Sequence, residues 1–294
     1  MNYSVKDILG IFGSAILSVV SAYWLYREGG IEPIIALFIA MGSLISFSLN
    51  FFLSSKVFEG SGTHSGTCGE FIQGFTASNQ PYHVTCPITK TCTIKVNIHY
   101  SFAPQIIVPE NFGKIQKAVT LSLKKLNRHL CHVTVQRWSD LDIGKGLASS
   151  TADILATVHA VYNAFGTTPT EKELIDIATS IESSDGIMIA DIVAFDHKTG
   201  KIHYRFKNFP QFNIVMITPP AVFNTESADF SGKANDLTSA HLLDRLVVAV
   251  DNEDIEEVAR CATASARCNF KYVPNEIFHL VENHMASNSN ILGI

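Results

Sequence analysis

Two uncharged runs in the first sixty residues limit what this chain can fold into. No Asp, Glu, Lys or Arg occurs from Ile8 to Tyr26 or from Pro33 to Ser55. Each run is about 20 residues long, the length at which a helix crosses a hydrocarbon core of about 30 Å. Apolar residues lie on all sides of both runs, which sets them apart from an amphipathic surface helix. The link Arg27–Glu32 leaves room for a tight hairpin only. Tyr23, Trp24 and Tyr26 close the first run, where an interfacial aromatic belt is expected. A secretory signal would show a single shorter run and a cleavage site. The expectation is a two-helix transmembrane hairpin over residues 1–56, with membrane contact through residues 8–26 and 33–55. Two crossings leave both ends on one side, where Lys6 and Lys56 flank the hairpin, and Arg27 on the other side is outnumbered by Glu28 and Glu32. The charge bias predicts a multi-pass membrane protein with its remaining domain in the cytoplasm.

The same runs explain a composition that is 47% hydrophobic and 17% charged. Net charge is −5 with no basic block, which excludes nucleic acid as an expected partner. Cys68, Cys86, Cys92, Cys131, Cys261 and Cys268 are scattered, with no CxxC pair, and read as reduced thiols. The eleven histidines form no HExxH spacing, so no metal site built on His or Cys is expected.

The pattern changes at Lys56. Gly60, Ser61, Gly62, Thr63 and His64 read as a flexible linker. Alternation predicts strands at Thr91–Tyr100 and Val133–Trp138, then at Ile189–Phe195, Ile202–Phe206 and Phe212–Thr218. Helical patterns cover Asn111–His129, Leu155–Phe165, Ser239–Val250, Ile255–Ala266 and Asn275–Met285. Thr170 and Glu173 have capping-box spacing and open another helix through Ile181. Asp196–Gly200 is a turn. Strands and helices do not alternate strictly, so the class is α+β.

One stretch carries chemistry. Asp142-Ile143-Gly144-Lys145-Gly146-Leu147-Ala148-Ser149-Ser150 is a glycine-rich turn that runs into two serines, where a helix begins. Unpaired N–H groups at a helix start, together with the helix dipole, favour an anion. Glycine lets the backbone approach a phosphate, and the serine hydroxyls suit phosphate or Mg²⁺. Lys145 is followed by glycine, so the loop is neither a Walker A motif nor a dinucleotide fingerprint.

The run GKGLASSTAD resembles the second motif of the GHMP kinases. SGTCGEFIQG at Ser65–Gly74, VTCPI at Val84–Ile88 and SSDGIMIADIVAFDHKTGK at Ser183–Lys201 resemble the cobalamin-pathway L-threonine kinases of that superfamily. The hairpin lies outside the resemblance. The resemblance implies a two-lobed α+β kinase that uses ATP and Mg²⁺, with an N-terminal lobe at 57–210 and a C-terminal lobe at 211–294. Gly144, Lys145, Gly146, Leu147, Ala148, Ser149 and Ser150 would wrap the ATP phosphates. Ser150 and Glu182 would hold Mg²⁺, and Asp185 would be the catalytic carboxylate near the acceptor hydroxyl. Glu70 and Gln73 are candidates for binding the substrate. The implied reaction is phosphorylation of L-threonine to O-phospho-L-threonine for cobalamin synthesis. Homoserine or another small alcohol is an alternative acceptor, and a homodimer is compatible with the sequence.

Two departures from the family pattern stand out. Asp140-Leu141-Asp142-Ile143 replaces the usual proline and adds negative charge beside a phosphate loop. The chain ends at Asn290–Ile294, where the family's third glycine-rich motif would begin, so the C-terminal lobe is expected to be incomplete. Both keep open a second reading, a membrane-tethered degenerate kinase that acts as a binding module.

Overall fold

The computed structural model describes residues 5–28, 31–54, 56–217, 237–270 and 276–294. Two helices open the chain, α1 (Val5–Glu28) and α2 (Ile31–Ser54), and they pack on each other. Ser21 and Ala40 are buried in this pair. The expected transmembrane hairpin does not stand: among the described residues, no helix is long and apolar enough to cross a membrane. The runs are uncharged, but Gly13, Ser18 and Ser21 interrupt the first and Gly42, Ser43 and Ser46 the second. Ser43 Oγ turns back to donate to Ile39 O at 2.9 Å. The multi-pass membrane placement, with a cytoplasmic kinase domain, falls with the hairpin.

Two long strands organise the rest. β1 (Val57–Phe75) and β2 (Pro81–Tyr100) pair antiparallel over their whole length. The expected linker Gly60–His64 is therefore strand, paired with Val96 through Cys92. Its glycines answer to packing. A Cβ on Gly60 would overlap Ala160 O, and one on Gly62 would overlap Ala156 O. The partner is helix α4 (Ser149–Ala164), whose Ala152, Ala156, Ala160 and Ala164 recur every fourth residue and form one face. Small residues on both sides bring strand and helix into backbone contact, and α4 is buried along most of its length.

On its other edge β2 forks. Its second half, Cys92–Tyr100, pairs with β4 (Cys131–Ser139), and β3 (Gln105–Ile107) lies parallel to β4 beyond it. In its first half, His83 and Val84 pair with β5 (Val193–Phe195), and β6 (Ile202–Arg205) follows. Between the branches, β2 pairs with β1 alone, and β1 shifts register there between Ser65 and Thr67, Thr67 and Glu70, and Glu70 and Ile72. Bulges of this kind bend a strand and re-aim its side chains.

Helices α3 (Gly113–Lys125), α4 and α5 (Glu171–Ile181) cover the sheet with cores built on Ile115, Leu155 and Ile177. The Thr170–Glu173 capping box forms as expected. A third core joins β1 and β2 to α6 (Leu237–Asp251) and α7 (Ile255–Phe270) through Ile72, Tyr82, Leu246 and Cys261. Helix α8 (Glu276–Ser287) follows. Three expectations shift. Gly186–Met188 is a 3-10 turn and the strand begins only at Val193; residues 212–217 carry no strand, and Thr218 lies outside the described residues. The helix expected at Asn275–Met285 is α8, with Asn275 outside the described residues.

Candidate active site

The glycine-rich loop hangs from two buried leucines. Leu141 and Leu147 belong to the sheet core, while Asp142 and Ile143 between them are exposed. Thr67 N on the β1 bulge donates to Leu147 O at 3.1 Å and ties the loop to the fork. Gly144 and Gly146 have φ of 72° and 70°, a region glycine enters without strain. Ala148 is left-handed at φ 51°, is the N-cap of α4 and offers no side-chain acceptor. The first N–H groups of a 16-residue helix thus open on the loop without a side-chain cap and with no acidic residue in the first turn. Asp140 and Asp142, which add negative charge in sequence, are both exposed, so solvent screens them.

Ser149 and Ser150 start α4, and Glu182 is the C-cap of α5. Ser150 Oγ donates to Glu182 Oε1 at 2.7 Å, and Thr151 Oγ1 reaches the same oxygen at 3.4 Å. Lys114, from the first turn of α3, forms an ion pair with the other carboxylate oxygen. The two residues expected to hold Mg²⁺ therefore meet directly. Hydroxyl and carboxylate oxygens are the donors this hard cation takes. Asp153, one turn further along α4, is bound to Arg137 at 2.7 Å and to Cys92 at 2.9 Å, a buried structural pairing.

Three residues past Glu182 lies Asp185, which is joined by two other side chains. His83 Nδ1 is 3.9 Å from both Asp185 Oδ1 and Glu70 Oε1. Ligand atoms of all three residues lie within 4.8 Å of one another, close enough to hold a metal ion. The Glu70 side chain is 10% exposed, and its Oε2 is buried with no hydrogen-bond partner. Burial, partly opposed by His83 and reinforced by Asp185, pushes the Glu70 carboxyl up to about 8, so it is protonated at neutral pH. His197 stacks on His83 with centroids 4.2 Å apart, and burial lowers it to about 4. The carbonyl of His197 accepts from Ser184 N at 3.0 Å, which steadies the segment that carries Asp185. Gln73 is opposite His83 in the β1–β2 register, and its backbone N–H donates to Ser265 Oγ on α7 at 3.1 Å. A cavity of about 300 Å³ adjoins, lined by Thr63, His64, Thr85, Gly186 and Ile189 among others. Thr85 lies opposite Glu70 in the register and so joins cavity and cluster.

This arrangement has a pH signature. In the unfolded chain the Glu70 carboxyl titrates near its ordinary 4.5, and in the fold near 8. Between those values the unfolded chain releases a proton that the fold keeps, so stability falls as pH rises through this window. Glu70→Gln, which mimics the protonated form, should flatten the fall when Tm is measured from pH 5 to 8. A slope unchanged by the substitution would mean that Glu70 is ionised in the fold.

His83, His197, Lys114 and Thr151 join the site without a local signal in the sequence that singles them out. His83 and Glu70 lie on neighbouring strands, and only the bulged register brings them together. No spacing along the chain signals that pairing.

Residues 114–198 match the family described as GHMP kinases N terminal domain. The chain is 27% identical over 161 residues to an L-threonine kinase of Salmonella typhimurium, covering 54% of this chain and 52% of that protein. It is also 27% identical over 163 residues to an L-threonine kinase of Citrobacter freundii, covering 54% of each. Among solved structures, a mevalonate kinase from methicillin-resistant Staphylococcus aureus superposes with a TM-score of 0.44 at 17% identity, covering 71% of this chain and 77% of that one. The family match covers residues 114–198 alone, the segment from the start of α3 to the turn after β5. The curated proteins it resembles are L-threonine kinases, and it spans about half the length of those relatives.

Proposed function

We propose that this site transfers the γ-phosphoryl group of ATP to the hydroxyl of a small acceptor, L-threonine, giving O-phospho-L-threonine for cobalamin synthesis. One observation carries the reading. The segment Glu182–Asp185 joins the hydroxyl–carboxylate set at the start of α4 to the carboxylate–histidine cluster at the fork. Three residues of extended chain span at most roughly 10 Å, so the two sets lie within that reach of each other along the backbone. The relatives named above support L-threonine as the acceptor.

Phosphoryl transfer is mostly positioning and charge stabilisation. The loop Gly144–Ala148 and the N–H groups of Ser149 and Ser150 bind the phosphates of the nucleotide. Ser150 and Glu182 would hold Mg²⁺, which would supply charge neutralisation for the phosphate oxygens. Lys114 neutralises Glu182 when the cation is away. Asp185 orients the acceptor hydroxyl and takes its proton on a carboxylate oxygen. Glu70, neutral at pH 7, adds no second negative charge beside Asp185 and can donate its proton in a hydrogen bond to the acceptor's carboxylate. Gln73 supplies amide contacts on the same side of the sheet. In this reading residues 57–210 form the lobe that bears the site, and residues 211–294 contribute to a second lobe.

Ser150→Ala tests the nucleotide end. It removes the hydroxyl from Glu182 and from the cation, and Mg-ATP affinity measured by calorimetry should weaken roughly tenfold, the worth of one charge-assisted hydrogen bond. An unchanged affinity would remove Ser150 from the phosphate site.

A further inference from the structure

Cys68 and Cys86 face each other across the bulge of β1, with sulfur atoms 3.3 Å apart. Cys86 is buried and Cys68 is partly exposed, so one member of the pair meets solvent and the other backs it from within. Neither has a part in the chemistry above. Their place in the strand does matter to it. Thr67, one residue before Cys68, holds the glycine-rich loop through Leu147 O. Glu70, two residues after Cys68, belongs to the carboxylate cluster.

We propose that Cys68 and Cys86 are a reversible dithiol pair, in which Cys68 is oxidised by a peroxide and Cys86 closes a disulfide on it. In the first step the Cys68 thiolate attacks one peroxide oxygen. The O–O bond breaks, an S–O bond forms, and the departing hydroxide takes up a proton to become water. Cys68 is then a sulfenic acid. In the second step the Cys86 sulfur displaces that oxygen. The S–O bond breaks, the S–S bond forms, and the Cys86 proton leaves with the oxygen as a second water. Overall two thiols lose two electrons and two protons, and one peroxide is reduced to two waters.

The geometry suits each step. The attacking thiol has to be accessible and the resolving thiol has to be close, and the partly exposed Cys68 and buried Cys86 meet those needs in that order. Closing the sulfurs to a bonded distance of about 2.05 Å needs a shift of roughly 1 Å. The bulge supplies it: Cys68 lies where β1 changes register, beside Gly69 at φ 97° with open space around it. The other cysteines lack such a partner. Cys92 is bound to Asp153, and Cys131 and Cys261 are buried.

The test uses the reduced full chain, exposed to hydrogen peroxide, alkylated under denaturing conditions and mapped by mass spectrometry. The expected product is a Cys68–Cys86 linked peptide, two hydrogens lighter than the reduced pair and restored by dithiothreitol. It should form faster than oxidation of Cys268, the other partly exposed cysteine. Cys68→Ala, a change at a partly exposed position, should abolish the link, and in Cys86→Ser the sulfenic acid on Cys68 should persist and be trapped by dimedone. Wild-type protein in which Cys68 passes to sulfinic acid while Cys86 remains alkylatable would overturn the proposal, as would a link between any other pair. The readout is the bond itself, so this outcome is independent of whether the kinase reading holds.

Discussion

Asp185→Asn should lower acceptor-dependent turnover by about 10²–10⁴-fold while Mg-ATP affinity stays nearly unchanged. The asparagine side chain has the same size and keeps a hydrogen-bonding group near His83 and Glu70, so the cluster stays packed. It cannot take a proton at neutral pH. Asp185 lies 3.9 Å from His83, at the end of the segment that begins at Glu182, and it is a quarter exposed, so an acceptor can reach it. The phosphate-binding parts, Ser150 and the start of α4, lie at the other end of that segment and are untouched by the change. The two parameters should therefore separate. Equal loss of turnover and nucleotide affinity would mean that Asp185 shapes the site and does not act as its base.

The second large effect is on the fold. Gly62→Ala adds one methyl group where Ala156 O and the backbone of Ala160 already stand. A strand and a helix in backbone contact cannot absorb it by a rotamer change, and the helix is among the most buried elements. The expected cost is about 3 kcal/mol, at the upper end of overpacking penalties, or a fall in Tm of roughly 5–10 °C. Thermal unfolding by circular dichroism measures it. Gly69→Ala, at a glycine with open space around it, is the control for the cost of a positive φ alone. A Gly62→Ala protein with unchanged Tm would return Gly60–His64 to the flexible linker that its composition suggests.

That stretch shows where sequence stops being informative. Glycine and serine in a row have the composition of a linker, and local propensity contains no hint that they line a helix. Only the alanines spaced four apart in α4 explain them, and those alanines lie about a hundred residues away. The same limit applied to the uncharged N-terminal runs. Absence of charge was legible, but it is a weaker property than the apolarity a membrane crossing needs. Other features were local and therefore readable. The Thr170–Glu173 box, the turn at Asp196 and the glycine-rich entry to α4 each depend on a few consecutive residues.

The candidate site was legible in part for the same reason. The loop and its serines form one contiguous motif. Glu182 and Asp185 entered through family resemblance, and in the fold they lie beside Ser150 and Glu70 respectively. Lys114 and His83 did not enter, because a helix start and a strand register bring them in from distant sequence. The aspartates ahead of the loop looked unfavourable in sequence, yet the fold places both in solvent.

The most direct measurement is ADP release by the full chain with Mg-ATP, with and without L-threonine, beside homoserine and serine. Release should depend on L-threonine, yield O-phospho-L-threonine in equal amount, and disappear in Asp185→Asn. Nucleotide binding with no release for any acceptor would contradict it and leave a domain that holds the nucleotide without transferring its phosphate.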